Sequence, residues 1–135
     1  MPIDAKALGF TNRWYRAAVE SADTTTVAGQ TIRMVKPVYF VATKLEAFHG
    51  RGPDDVTLSH DLEDIVAVID GRAEIVGEIT NANADVRAYI VSEIRGLISD
   101  DDFREAIPNF LLPDSASQSR RALLEGRLNA IAALE

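Results

Sequence analysis

The sequence predicts an α+β fold, mostly helical with one antiparallel β-hairpin, in a single domain over residues 1–135. Apolar residues recur at spacings of three and four along most of the chain, as they do on the buried face of a helix. One short segment is instead rich in β-branched residues on both sides of a tight turn. We therefore expect an N-terminal helix and β-hairpin over residues 1–36, followed by a helical lobe over residues 37–135.

The composition is that of an ordinary globular protein, with 47% hydrophobic and 26% charged residues. No run approaches the roughly 20 apolar residues of a membrane span. The first ten residues lack the basic start and apolar core of a signal peptide, and there is no cysteine. A cytoplasmic location without membrane contact is expected. The net charge of -7 opposes non-specific binding to nucleic acid or to anionic lipid.

The N-terminal part is expected to hold a helix around Arg13 to Ser21 and then two strands, Thr24–Ala28 and Thr31–Val35. Trp14 and Tyr15 are expected to pack in the core or against the hairpin. An isolated two-stranded ribbon is marginal in water and exposes two edges. The hairpin should therefore be covered by the N-terminal segment, by a second copy of the chain in a homodimer, or by another polypeptide.

Two consecutive helices are expected in the middle of the chain. Pro37 suits a first helical turn, and the helix that it begins should end near Gly50 or Gly52. Ser59 can cap the next helix, which Gly71 should end. Their inner faces are expected to be formed by Val38, Val41, Leu45 and Phe48 in the first helix and by Leu62, Ile65, Val66 and Ile69 in the second.

Further helices complete the lobe. A short one is expected from Arg72 to Ile79, and a loop between Pro108 and Pro113. The last helix should begin at about Ser115. A longer helix between them is marked by Val86, Tyr89, Ile90, Ile94, Leu97 and Ile98, and the inner face of the last helix by Leu123, Leu124, Leu128, Ile131 and Leu134.

A polar cluster lies where the two middle helices meet. Packing these helices side by side brings Lys44 and Arg51 near Asp61 and Asp64, which lie three apart on one helix face beside the apolar stripe. A lysine, an arginine and a helix N-terminus favour phosphate, and paired carboxylates can hold a metal ion that bridges phosphates, which together indicate a nucleotide site. The alternative is that Lys44 pairs with Glu46 or Asp61 on a solvated helix edge, and from spacing alone this is the commoner case.

A second kind of site would use histidine. His49 and the adjacent His60 and Asp61 are similar to the metal-binding histidine–aspartate pair of HD-type phosphohydrolases. Asp64 or Asp70 would have to complete that site, because the chain has only two histidines. In the simpler alternative, one histidine ends a helix and the other begins the next.

The stretch "FVATKLEAFHGRGPDDVTLSHDLEDIVAVIDGR" resembles the C-terminal half of the AbiEii-type nucleotidyltransferases, toxin-like proteins of abortive-infection and type IV toxin–antitoxin systems. In that family, a helix with a lysine motif is followed by an arginine and then by a helix with a [K/H]-D-L-x-D motif. The matching residues here are Lys44, Arg51, His60, Asp61 and Asp64. The flanking stretches "LGFTNRWY", "TIRMVKPVYF" and "LPDSASQSRR" are similar to one bacterial subgroup, so the resemblance covers nearly the whole chain.

The resemblance implies a nucleotidyltransferase fold whose helical C-terminal lobe contacts the nucleotide. Lys44 and Arg51 would then meet phosphates, and Asp61 and Asp64 would shape the site. The family transfers a nucleotidyl group to RNA or protein, using metal ions held by a Gly-Ser motif and an Asp-x-Asp strand. Neither a Gly-Ser helix start nor an Asp-x-Asp strand is found here, and Asp4 is the only acid before the first long helix.

The expected function is that of an N-terminally shortened nucleotidyltransferase-like protein that retains the nucleotide-contacting lobe and is not catalytic alone. Mg²⁺ would enter with a nucleoside triphosphate only if a partner completed the site. That partner would be a separately encoded N-terminal half or an antitoxin. The alternative is a non-enzymatic interaction or dimerisation module, and a complete HD-type phosphohydrolase is a third possibility.

Overall fold

A computed structural model describes residues 13–51, 60–111 and 118–134 as helices around one core, with a single two-stranded ribbon. The predicted α+β fold is thereby confirmed for this part of the chain. None of its helices is long and apolar enough to cross a membrane. The elements in chain order are α1 Tyr15–Ser21, β1 Asp23–Val27, β2 Gln30–Met34, α2 Pro37–Arg51, α3 His60–Gly71, α4 Ile75–Thr80, α5 Ala84–Ile98, α6 Asp101–Ala106, a 3-10 helix Ile107–Phe110, and α7 Arg121–Ala132.

The ribbon is an antiparallel hairpin in which Thr25 lies opposite Ile32. Its two-residue loop is formed by Ala28 and Gly29, with φ of 51° and 80°. Positive φ at both positions is the signature of a type I′ turn, whose twist matches that of the strands. Each strand begins and ends one residue earlier than predicted, because this turn uses only two residues and leaves Gln30 in β2.

The hydrophobic core is formed by α2, α3 and α5, with residues from the shorter helices and α7. The predicted inner faces of α2 and α3 are confirmed, except that Phe48 is only partly buried. Trp14, which precedes α1, is buried, whereas Tyr15 is half-buried. Among the described residues, those of the ribbon are not members of this core, and all of β1 is exposed, whereas Ile32 and Met34 of β2 are partly buried.

The C-terminal part of the chain departs from the predictions at three places. Helix α6 was not predicted, although Asp100 caps it by accepting a 2.9 Å hydrogen bond from the backbone N–H of Asp102. The expected loop after Pro108 begins instead with a 3-10 helix. Leu123 is 47% exposed rather than buried, because its neighbour Leu124 takes the inward position. Ser59 and Ser115, the predicted helix starts, lie outside the described residues.

Arginines fasten the C-terminal ends of two helices. At the end of α3, Arg120 donates to the Asp70 carbonyl at 2.9 Å and Arg127 donates to the Ile69 carbonyl, also at 2.9 Å. At the end of α7, Arg95 donates to the Ala132 carbonyl at 2.6 Å. These carbonyls have no partner within their own helix, and a guanidinium both satisfies them and complements the negative end of the helix dipole. The contacts of Arg120 and Arg127, which we call the arginine clasps, hold the end of α3, the helix that carries Asp61 and Asp64.

Candidate functional site

Lys44 of α2 lies between two aspartates of α3. Its Nζ is 2.9 Å from Oδ2 of Asp64 and 3.6 Å from Oδ1 of Asp61. The structure thus brings together three of the four predicted site residues. We call Lys44, Asp61 and Asp64 the Lys44 cluster.

The helices place these side chains by simple periodicity. Lys44 lies beside Leu45, which is buried against the core, so its stem follows the α2–α3 seam while its ammonium reaches outward. Phe40, one turn earlier, has its ring centroid 5.7 Å from the ammonium. Asp61 lies in the first turn of α3, where the positive end of the helix dipole stabilises a carboxylate. Asp64 follows one turn later on the same face.

Burial within the Lys44 cluster falls from one end to the other. The side chain of Asp61 is 5% exposed, that of Lys44 is 18% exposed and that of Asp64 is 45% exposed. The sequence placed Asp61 beside the apolar stripe, whereas it is buried with it. A buried carboxylate is costly unless it is paired, so Lys44 is needed where it lies. Asp64, in contrast, is half-exposed, so its contact with Lys44 lies at the solvent side of the cluster.

Four other candidate residues remain, and the structure describes the side chains of two of them. Arg51 is the last residue of α2, and only its backbone is described, so its contact with phosphate stays a prediction. The same holds for the side chain of His49. His60 is 87% exposed, with Nδ1 3.3 Å from Glu63 Oε2. Asp70 lies at the other end of α3, where its carboxylate pairs with Arg120 at 3.1 Å.

The HD-type arrangement gains no support from these positions. Among the residues that the structure describes, no group of three or more histidines, aspartates or glutamates could hold a metal ion. In the Lys44 cluster, the ammonium already occupies the space between the two carboxylates. These side chains therefore do not by themselves fit a divalent cation, which requires several oxygen ligands.

Sequence reasoning missed the role of Glu46. It was considered as a partner for Lys44, but its Oε2 accepts a 2.6 Å hydrogen bond from the hydroxyl of Tyr89 on α5. Burial, followed by the hydrogen bond to Glu46, raises the pKa of the Tyr89 hydroxyl far above its usual value of 10.0. The ring of Tyr89 also packs against Trp14, with centroids 5.1 Å apart. No local pattern could reveal this contact, because 43 residues separate its partners.

A cleft at the start of α2 was also missed. It has a volume of about 470 Å³ and is lined in part by Lys36, Tyr39 and Asn83. On its wall, Arg72 binds Glu78 through two hydrogen bonds of 2.6 and 2.9 Å. The hydrogen bond from the Arg72 guanidinium lowers the pKa of the Glu78 carboxyl below its usual value of 4.5. Because the two charges satisfy each other, this pair stabilises the turn from α3 into α4.

Comparison of the chain with protein-family models, with curated proteins and with solved structures finds no match. The resemblance to AbiEii-type nucleotidyltransferases therefore rests on the motif residues alone.

Proposed function

We propose that this chain provides the nucleotide-contacting helical lobe of a nucleotidyltransferase-like protein, in a system of the toxin–antitoxin type. The observation that supports it is the convergence of Lys44, Asp61 and Asp64 from two helices into one cluster. These are the residues that the resemblance assigns to the nucleotide site.

The unequal burial of the two carboxylates suggests how a nucleotide would enter. Lysine is a compact cation that binds phosphate as a point charge. The nucleotide's phosphate would replace the half-exposed Asp64 as a partner of Lys44, while the buried Asp61 keeps the ammonium in place. Arg51, at the end of the same helix, would supply a second cation. The chain then binds and orients the nucleotide without itself carrying out transfer.

Transfer chemistry would require metal-binding carboxylates from another polypeptide segment. Phosphoryl transfer uses metal ions that bridge the phosphates and neutralise the developing charge. The described residues offer no such ligand set. In this proposal, carboxylates of a partner would complete the site by holding the Mg²⁺ that accompanies a nucleoside triphosphate, and Lys44 and Arg51 would contact the phosphates.

Thermal unfolding with each nucleoside triphosphate and magnesium tests nucleotide binding. A ligand at a hundred times its dissociation constant should stabilise the wild type by about 2.7 kcal/mol. The Lys44→Ala, Arg51→Ala double variant should show no ligand-induced shift. Arg16→Ala is a matched control, because the Arg16 side chain is 90% exposed, and it should respond like the wild type. If no nucleotide shifts the wild type, or if the double variant responds equally, the proposal is wrong.

The second candidate is a non-enzymatic interaction module. The observation that favours it is the ribbon, since all five residues of β1 are exposed. In this reading the Lys44 cluster only joins α2 to α3. The two candidates are separated by the Lys44→Ala, Arg51→Ala variant, because an interaction module should keep its partner affinity in that variant.

A further inference from the structure

The hairpin register shows which backbone groups of the ribbon face outward. In a hairpin with a two-residue loop, the pair that flanks the loop is hydrogen-bonded, and such pairs alternate along the ladder. Here Val27 and Gln30 flank the loop, so Thr25 with Ile32 is the next hydrogen-bonded pair. The N–H and C=O groups of Thr24 and Thr26 therefore point away from β2, along the outer edge of β1.

This outer edge is uncovered in the described part of the chain. Among the described residues outside the ribbon, none forms a backbone–backbone hydrogen bond with Thr24 or Thr26. All five residues of β1 are exposed, and Val27 is 55% exposed. Natural sheets usually protect such an edge with lysine, proline or a bulge. Strand β1 has no lysine, proline or bulge, and its one charged residue, Asp23, lies at its first position. Its three consecutive threonines favour strand pairing.

We propose that β1 pairs in an antiparallel manner with β1 of a second copy of this chain. A two-fold axis through Thr25 would place Thr24 of each copy opposite Thr26 of the other. Both residues have outward-facing backbone groups, so each such pair would exchange two hydrogen bonds. The result is a continuous four-stranded sheet in which the two β1 strands are central and the two β2 strands form the edges. This proposal goes beyond the proposed function and does not depend on nucleotide binding.

The side chains of β1 are self-complementary under this symmetry. Thr25 meets its own copy, and threonine pairs across a sheet can share a hydrogen bond. Asp23, the only charged residue of the strand, lies opposite Val27 of the second copy, so no like charges face each other. A two-fold contact needs this kind of self-complementary surface.

The edge of β2 is less suitable for the same contact. A two-fold axis through Ile32 would bring the two copies of Arg33 to diagonal positions across the strands, where like charges repel. The guanidinium of Arg33 is also engaged within its own chain, since it donates to the backbone carbonyl of Val19. The β1 edge is therefore the assigned contact.

Sedimentation equilibrium of the full chain between about 10 μM and about 1 mM tests this dimer over the range in which small interfaces associate. The wild type should show a monomer–dimer equilibrium. Thr25→Lys and Thr25→Glu each place like charges directly opposite at the two-fold axis, and each should raise the dimer Kd by at least about fivefold. An equimolar mixture of the two variants should restore association as a heterodimer, and added salt should weaken that heterodimer.

Thr31→Lys on β2 is the matched control, because it adds the same charge to the other strand and should leave the dimer Kd within about twofold of the wild-type value. Circular dichroism confirms that each variant is folded. A wild type that stays monomeric at every concentration overturns the proposal. It is also overturned by a dimer that Thr31→Lys disrupts and Thr25→Lys does not, or by a lysine–glutamate mixture that fails to associate.

Discussion

Replacing Lys44 with methionine would remove its charge and keep most of its apolar stem. Two unit charges 3.6 Å apart, as Lys44 and Asp61 are, attract each other by about 5 kcal/mol at an effective dielectric constant of about 20. Removing one partner of a fully buried pair typically costs about 3–5 kcal/mol, because the other charge stays buried. Since Lys44 is 18% exposed, we expect the free energy of unfolding to fall by about 2–3 kcal/mol.

Urea unfolding measures this loss directly, and for a chain of this size it corresponds to a fall in Tm of about 10 °C. Adding Asp61→Asn to Lys44→Met removes the stranded carboxylate and should regain at least about 1 kcal/mol. The control Arg16→Met breaks an exposed pair with Glu20 and should cost less than about 0.5 kcal/mol. A Lys44→Met loss as small as that of the control would refute the assignment of a buried, structurally coupled cluster, as would a double variant no more stable than the single one.

Three further outcomes concern other contacts. Tyr89→Phe should cost about 1–2 kcal/mol in urea unfolding, because it removes the hydrogen bond to Glu46. For Glu78, Arg72 lowers the carboxyl pKa, so the pair's contribution to stability is full above pH 4.5 and is lost as the pH falls through the lower folded-state value. The wild-type Tm should therefore fall more steeply on acidification than that of Glu78→Gln. Ala28→Asn suits the type I′ turn and should slow amide hydrogen exchange in the ribbon by about fivefold.

Each of these outcomes has its own contrary result. The Glu46→Gln, Tyr89→Phe double variant tests the first outcome. If its loss in free energy of unfolding equals the sum of the two single-variant losses, the two side chains are not coupled. Equal acid dependence of the Tm in the wild type and Glu78→Gln would show that Arg72 does not depress this carboxyl. Ala28→Val, which disfavours positive φ, should speed amide exchange, and slower exchange would contradict the turn assignment.

The periodicity of apolar residues predicted α2, α3 and α5 well, because each buries one face against the core over several turns. It did not predict α6, which has only six residues and buries just Phe103 and Ala106. Too few positions repeat there for a period to be visible. The acidic residues of its first turn and the capping residue Asp100 are sequence signals that would have predicted a helix start here.

The candidate site was only partly predictable. Spacing along α3 placed Asp61 and Asp64 on one face, and that placement is confirmed. It could have excluded Glu46 as a partner of Lys44, because residues two apart on a helix do not face each other. It could not show which residue of another helix meets Glu46, and the structure identifies Tyr89 of α5 as that residue. Contacts between side chains 43 residues apart are a property of the packed molecule rather than of any local pattern.

The arginine clasps at the end of α3 have a kinetic consequence. Arg120 and Asp70 are 50 residues apart in sequence, and Arg127 and Ile69 are 58 apart. A contact that closes so long a loop loses chain entropy before it gains any bonding energy, so it tends to form late on the folding pathway. Interactions absent from the transition state act mainly on the unfolding rate. The contacts between α3 and the start of α7 would then slow unfolding and leave the folding rate nearly unchanged, so they would set the lifetime of the native state.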